Sequence, residues 1–411
     1  MGEVGIALSK TARRTTSWWL PGICLILTGW CANQYVSLIS WYQQQRLLSE
    51  FEAMLVMGSY LLGMIPALMF GGPLTDRFGR KPFTLAALAF SVLGSLALMG
   101  GWYTEAGLYL GRVFTGLGMG LAMVAVTSWV KLISPGPAGA TRAALCTSAG
   151  FAIGPAISGA IVGSSQSPEL AYAVHAVATL AWLLLMLTAK EEQPAVLRQV
   201  DPADAAPAAH QMRTSMANMK RFTRLVLPAA PWVFGMAATG FAVVPALTAE
   251  PGQSSLLYST ITVLVTMGMG AAIQPLIRRF NDVSRVGLLL WGLGVALAGL
   301  LLMLVVSLTG SEAVGMAASV VSGAANGILL VAGLSQVLDL AGPADLGKLT
   351  GRFYMCCFIG FTFPTLFALW RPMAHPALFI GLLAICCAAS MVQVFRARKY
   401  LPGRIPQHVT D

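Results

Sequence analysis

Residues 71–82 read GGPLTDRFGRKP, which places Asp76, Arg77, Arg80 and Lys81 inside six positions of a chain that is only 10% charged. The run before it, FEAMLVMGSYLLGMIPALMF (51–70), and the run after it, FTLAALAFSVLGSLALMG (83–100), are both apolar. A hydrocarbon core about 30 Å thick is crossed by roughly 20 apolar residues in helical form. Each run is long enough, so the four charges stand where two membrane helices meet water, and the rest of the chain can be read outward from there.

The 411 residues are 56% hydrophobic with a mean hydropathy of +0.73, whereas a soluble domain carries about 25% charged residues. Too few charges remain to solvate a folded surface, so lipid covers most of the exterior and the fold class is all-α, polytopic and membrane-embedded. Cys24, Cys31, Cys146, Cys356, Cys357, Cys386 and Cys387 all fall in apolar runs, where they pack as small polarizable side chains. No Cys/His spacing suggests a metal site, and no cofactor motif, nucleotide loop or nucleophile–base pair points to an enzyme. The net charge of +10 is spread over many short loops; that distribution orients a membrane protein and argues against nucleic acid as a partner. The first apolar run, from Trp18 to about Trp41, exceeds the hydrophobic region of a cleavable signal peptide.

Twelve spans are expected, at 18–41, 51–71, 83–101, 105–131, 143–164, 168–189, 225–248, 254–277, 285–308, 312–338, 350–370 and 375–396. They divide into an N-terminal six-helix bundle (1–189), a polar linker (190–224), a C-terminal six-helix bundle (225–397) and a short tail (398–411). Placing both termini in the cytoplasm puts 23 of the 26 Lys and Arg on that side, as the positive-inside rule requires. The halves repeat: PLTDRF (73–78) aligns with PLIRRF (275–280), and RVFTGLGMGLAMVA (112–125) with SVVSGAANGILLVA (319–332), pairing Gly116 with Gly323 and Gly120 with Gly327. Two like-oriented bundles are the design of a rocker with its substrate site between them.

Three motifs then resemble the major facilitator superfamily, over nearly the whole chain. In the 71–82 loop, Gly72, Leu74, Asp76, Arg77, Gly79, Arg80 and Lys81 match the family's Gly-x-Leu-small-Asp-Arg/Lys-x-Gly-Arg/Lys-Arg/Lys pattern, with Thr75 a mild departure. The resemblance implies a conformational latch made by Gly72, Asp76, Arg77, Gly79, Arg80 and Lys81. In the fourth span, Arg112 lies seven residues inside, roughly 10 Å deep at 1.5 Å per residue. The resemblance implies proton transfer or substrate charge sensing there; the residues alone also allow Arg112 to snorkel outward to Glu105. In the fifth span, Gly150-x-x-x-Gly154-Pro155-x-x-Ser158-Gly159 resembles the motif of family members that export drugs in exchange for protons.

The resemblance implies a cavity lined by the first, fourth, seventh and tenth spans. Trp30, Asn33, Gln34 and Ser37 stand on the first, Thr115 and Met119 on the fourth, Trp232 on the seventh and Asn326 on the tenth. Such a mostly apolar, aromatic surface suits amphipathic molecules. No carboxylate lies deep in a span, which leaves Glu52, near Arg112, and His175 as titratable partners for proton coupling. The expectation is a monomeric secondary transporter of a bacterial inner membrane, exporting small hydrophobic or cationic compounds (multidrug efflux) by antiport with protons. The alternative is a proton-coupled importer or facilitator of a small metabolite, which the missing deep carboxylate keeps open.

Overall fold

The computed structural model describes residues 17–45, 47–102, 104–134, 138–191, 219–248, 255–340 and 346–401. Among them are twelve helices long and apolar enough to span a bilayer. In chain order they are α1 (Trp19–Gln44), α2 (Glu50–Thr75), α3 (Arg80–Gly100), α4 (Glu105–Leu132), α5 (Arg142–Ser165) and α6 (Pro168–Thr188), then α7 (Met219–Thr248), α8 (Leu256–Arg278), α9 (Gly287–Thr309), α10 (Glu312–Val337), α11 (Leu349–Trp370) and α12 (Pro376–Tyr400). A helix satisfies its own backbone, which hydrocarbon cannot do for it, and the sequence marks many of the ends. Ser49, Ser167 and Ser255 cap α2, α6 and α8 through their hydroxyls, and Gly310, at φ +63°, closes α9.

The packing repeats with an offset of six helices. In the first half α1 packs on α5 and α4, α4 on α2 and α3, and α3 on α6. In the second, α7 packs on α11 and α10, α10 on α8 and α9, and α9 on α12. The glycines paired by the internal alignment have paired jobs. A Cβ on Gly116 would strike the Tyr60 carbonyl of α2, and one on Gly323 the Thr266 carbonyl of α8. Gly120 and Gly327 meet Met64 and Gly270 of the same partners, so backbone rests on backbone through small residues. The halves meet along α2–α11, α5–α8 and α1–α8.

Two features differ from the sequence expectation. α7 begins at Met219 rather than 225, because Phe222, Leu225 and Val226 are buried although Lys220, Arg221 and Arg224 make the stretch read as linker. Several helices are also irregular: π turns occupy 122–126 of α4 and 222–226 and 239–243 of α7, and a 3₁₀ turn occupies 360–362 of α11. Pro228 and Pro231, Pro245, and Pro364 follow the last three of these, and a proline supplies no N–H to the turn before it.

Candidate functional site

Among the described residues Arg112 is the most deeply buried charge. It is wholly buried, donates from Nη1 to the Ala32 carbonyl at 2.8 Å and from Nη2 to the Met57 carbonyl at 3.2 Å, and thereby ties α4 to α1 and α2. The Tyr60 and Tyr35 rings cover it, at 4.9 and 5.5 Å, an arrangement favourable to a desolvated cation. It does not snorkel to Glu105, and among the described residues it has no carboxylate partner. The Tyr60 ring continues into the second bundle, against Phe358 at 5.9 Å and Phe361 at 5.6 Å. Phe234 stacks on Phe358 at 4.3 Å. A cation in one bundle is thus joined to an aromatic column in the other.

Behind Arg112, α1 carries a buried polar chain. Gln34 donates from Nε2 to the Ser95 hydroxyl at 2.9 Å, and Ser95 contacts His175 Nδ1 at 2.7 Å. His175 Nε2 reaches the Leu27 carbonyl at 3.0 Å. Cys31 lies 3.5 Å from the Thr115 hydroxyl, and Trp30 donates to Ser158 at 3.1 Å. The structure therefore brings Trp30, Gln34, Thr115 and His175 together around the first-bundle core, with Met119 buried one turn beyond Thr115. Asn33 donates to the Phe151 carbonyl on α5, Ser37 to the Gln34 carbonyl, and Asn326 to the Val233 carbonyl on α7.

Two residues stand elsewhere than expected. Glu52 caps the start of α2, accepting from the Ser49 N–H at 2.8 Å while its own N–H donates to the Ser49 hydroxyl; it is partly exposed and makes no contact with Arg112. The half-buried carboxylate is its neighbour Glu50, paired with Arg371 at the end of α11 at 2.6 Å across the two bundles. Trp232 turns away from the inter-bundle surface, donates to Ser390 of α12 at 3.0 Å, and lines a groove of about 350 Å³ between α7 and α12.

The Glu50–Arg371 pair marks the end of the molecule remote from the 71–82 loop. Nearby, the Ser40 and Ser259 hydroxyls meet at 2.7 Å, and Thr365 donates to the Met54 carbonyl at 2.9 Å. A cavity of about 20 Å³ lies between the bundles there, lined by residues including Val36, Gln43, Phe241 and Pro245. That is room for one water, and the ion pair and hydroxyl bonds that cross from bundle to bundle hold this end closed. Gly159 of the fifth-span motif packs on Thr260 of α8 at the same seam, whereas Gly150 and Gly154 pack on Ile26 and Trp30 of α1.

At the other end, Gly79 takes φ +91°, a left-handed turn that favours glycine, and α3 starts directly after it. The Glu191 carboxylate accepts the Arg80 N–H at 2.7 Å and the Lys81 N–H at 2.8 Å, while Lys81 Nζ donates to the Leu187 carbonyl at 2.8 Å. The loop is thereby fastened to the end of α6 by an acid at a helix N-terminus. Gly72 is buried in α2 and Arg77 is exposed; the Asp76 side chain, like residues 192–218 of the linker and 402–411 of the tail, lies outside the described residues. Sequence reading missed Glu191, Glu50, Arg371 and Ser95. The first was hidden as one more linker charge, the second and third as ordinary helix-end charges, and Ser95 as a small residue in an apolar run.

Comparison with known proteins agrees with this architecture. The Major Facilitator Superfamily profile matches residues 22–365. The 4-hydroxybenzoate transporter PcaK of Pseudomonas putida is 32% identical over 137 residues, 33% of this chain and 29% of that protein. The 3-(3-hydroxy-phenyl)propionate transporter of Escherichia coli K12 is 38% identical over 71 residues, 16% of this chain and 17% of that one. The matched stretches thus span less than a third of either relative. A POT family transporter solved with 5-aminolevulinic acid superposes with a TM-score of 0.72 over 93% of this chain and 96% of that chain, at 14% identity, which speaks to the fold alone. With the profile covering most of the sequence and twelve spans in two repeated bundles behind it, the chain belongs to the Major Facilitator Superfamily.

Proposed function

We propose that this chain is a secondary transporter working by alternating access, which takes up small aromatic carboxylates together with protons. The observation that carries the reading is Arg112: a buried cation without a described carboxylate partner, covered by tyrosines that continue into an aromatic column on the facing bundle. An anionic head on the guanidinium and a ring among Tyr60, Phe358 and Phe361 would satisfy both halves of that surface. The two curated relatives are named for hydroxylated aromatic acids, which supports the same substrate class. The export reading rests on the fifth-span motif, and its glycines serve helix packing.

In this proposal the loop at 71–82 lies in the cytoplasm with both termini, as the distribution of Lys and Arg favours, and the closed end faces out. The protein works as a monomer in a bacterial inner membrane. Glu50–Arg371 and the hydroxyl contacts beside it form the outer gate, and the 71–82 loop pinned by Glu191 forms the inner latch. Labelled 4-hydroxybenzoate and right-side-out proteoliposomes test it. Accumulation driven by acid outside, abolished by a protonophore, is the expected result. Accumulation only in inverted vesicles with acid inside would reverse the direction and restore efflux.

A further inference from the structure

His175 has no place in the site as a substrate contact, yet it sits at the end of an ordered chain whose other end reaches α1 beside the Arg112 cover. A carbonyl only accepts, so His175 Nε2, 3.0 Å from the Leu27 oxygen, carries the hydrogen. Nδ1 of the neutral ring is then an acceptor, and the Ser95 hydroxyl at 2.7 Å donates to it. The Ser95 oxygen in turn accepts from Gln34 Nε2 at 2.9 Å. This leaves Gln34 Oε1 buried without a partner. An unpaired buried acceptor is costly, and it stands on the residue next to Tyr35, whose ring covers Arg112.

We propose that His175 is the proton-binding residue of the transport cycle and that Ser95 and Gln34 relay its charge state to the anion site at Arg112. The relay can run in either direction. When Nδ1 takes a proton from the medium onto its lone pair, the Nδ1–H donates to Ser95, the Ser95 hydrogen swings to Gln34, and the Gln34 amide turns over so that Oε1 accepts it. The one covalent exchange is an O–H bond of hydronium broken, leaving water, for the new N–H; the rest is rotation. The amide turn replaces the unpaired oxygen by an NH₂ group with two donors and nearly the same shape. A carboxylate near Arg112 then meets donors where it met an acceptor, so proton and anion favour each other's binding. The groups facing His175 carry no opposing acid among the described residues. Those in contact with the ring are Trp30 and the Leu27 carbonyl on α1, Ser95 on α3 and Thr179 on its own helix; beyond Ser95 lie Cys31 on α1 and then Thr115 and Arg112 on α4, and the buried Tyr172 stands one turn away on its own helix. Ionisation of the ring is therefore answered through hydrogen bonds.

The proposal rests on the aromatic-carboxylate reading above, and the experiment separates the two. Ring-¹⁵N histidine signals of the reconstituted full chain are recorded across pH with and without benzoate, with His175→Gln assigning the resonance. Benzoate should shift His175 toward the protonated form, by between about 5- and 150-fold in proton affinity, the usual span of coupling between two sites. In liposomes, His175→Gln and Ser95→Ala should lower acid-driven accumulation about tenfold or more relative to benzoate exchange, a loss within that same coupling range. Ser95→Ala keeps the imidazole and removes only the middle of the relay, so it decides the matter should His175→Gln fail to fold. A wild type that accumulates benzoate while His175 stays neutral, or variants whose accumulation keeps pace with exchange, would overturn the relay alone. A wild type that neither binds nor moves benzoate would remove the substrate reading beneath it.

Discussion

At the scale of single residues, Arg112 does something a lysine could not. Its planar fork holds the Ala32 and Met57 carbonyls on two different helices while two tyrosine faces cover it, and an ammonium is a point charge on a flexible stem. Arg112→Lys should therefore insert normally yet lose aromatic-acid uptake by about tenfold or more, the worth of one charge-assisted contact of roughly 1.5–3 kcal/mol. Labelled uptake normalised to protein abundance checks this, and wild-type uptake would take Arg112 out of the substrate site. The depth of Arg112 was legible in the sequence, since seven residues inside a span is a distance. Its partners were not, because a bond to a main-chain carbonyl leaves no trace in residue type. The same holds for Glu52 and Glu50: two acids two residues apart read alike, and only the Ser49 capping box shows which is spent on the helix end.

Among the helices, the glycines are what the sequence conveyed best. The matched pairs on the fourth and tenth spans pointed to duplication, and the structure shows each seated on a carbonyl-bearing turn of its neighbour. Gly116→Ala should push α4 off α2 and cost about 1–3 kcal/mol, as overpacking does. Gly381→Ala on α12, where an added Cβ meets nothing within 4 Å, should be neutral or stabilising by about 0.5–1 kcal/mol from helix propensity alone. Thermal unfolding in one detergent, with the two variants side by side, gives the comparison; equal midpoints would deny Gly116 its packing role. The element that escaped sequence reading is the first turn of α7. Hydropathy assigns a Lys/Arg-rich stretch to solvent, whereas here Arg221 is buried and paired with Asp339 at 2.9 Å while it also bonds Gln336.

At the scale of the whole molecule, spans, halves and repeat follow from apolar length and internal alignment, which are one-dimensional properties. The state of the molecule does not, because closure at one end depends on which of several weak contacts are made. Cysteines replacing Ser40 and Ser259, whose oxygens lie 2.7 Å apart, should cross-link across the seam, and Glu50→Gln should lower the yield by loosening the Arg371 pair. An unchanged yield would mean that this ion pair does not hold the end shut. The polar contacts across this end are a few hydroxyl bonds and an ion pair, each worth about 1 kcal/mol net. Turning a two-state population over from 1:99 to 99:1 takes about 5.5 kcal/mol, and one unit of pH difference supplies about 1.4 kcal/mol per proton. The polar part of closure thus stands on the same energetic scale as the gradient and ligand that the proposed cycle sets against it.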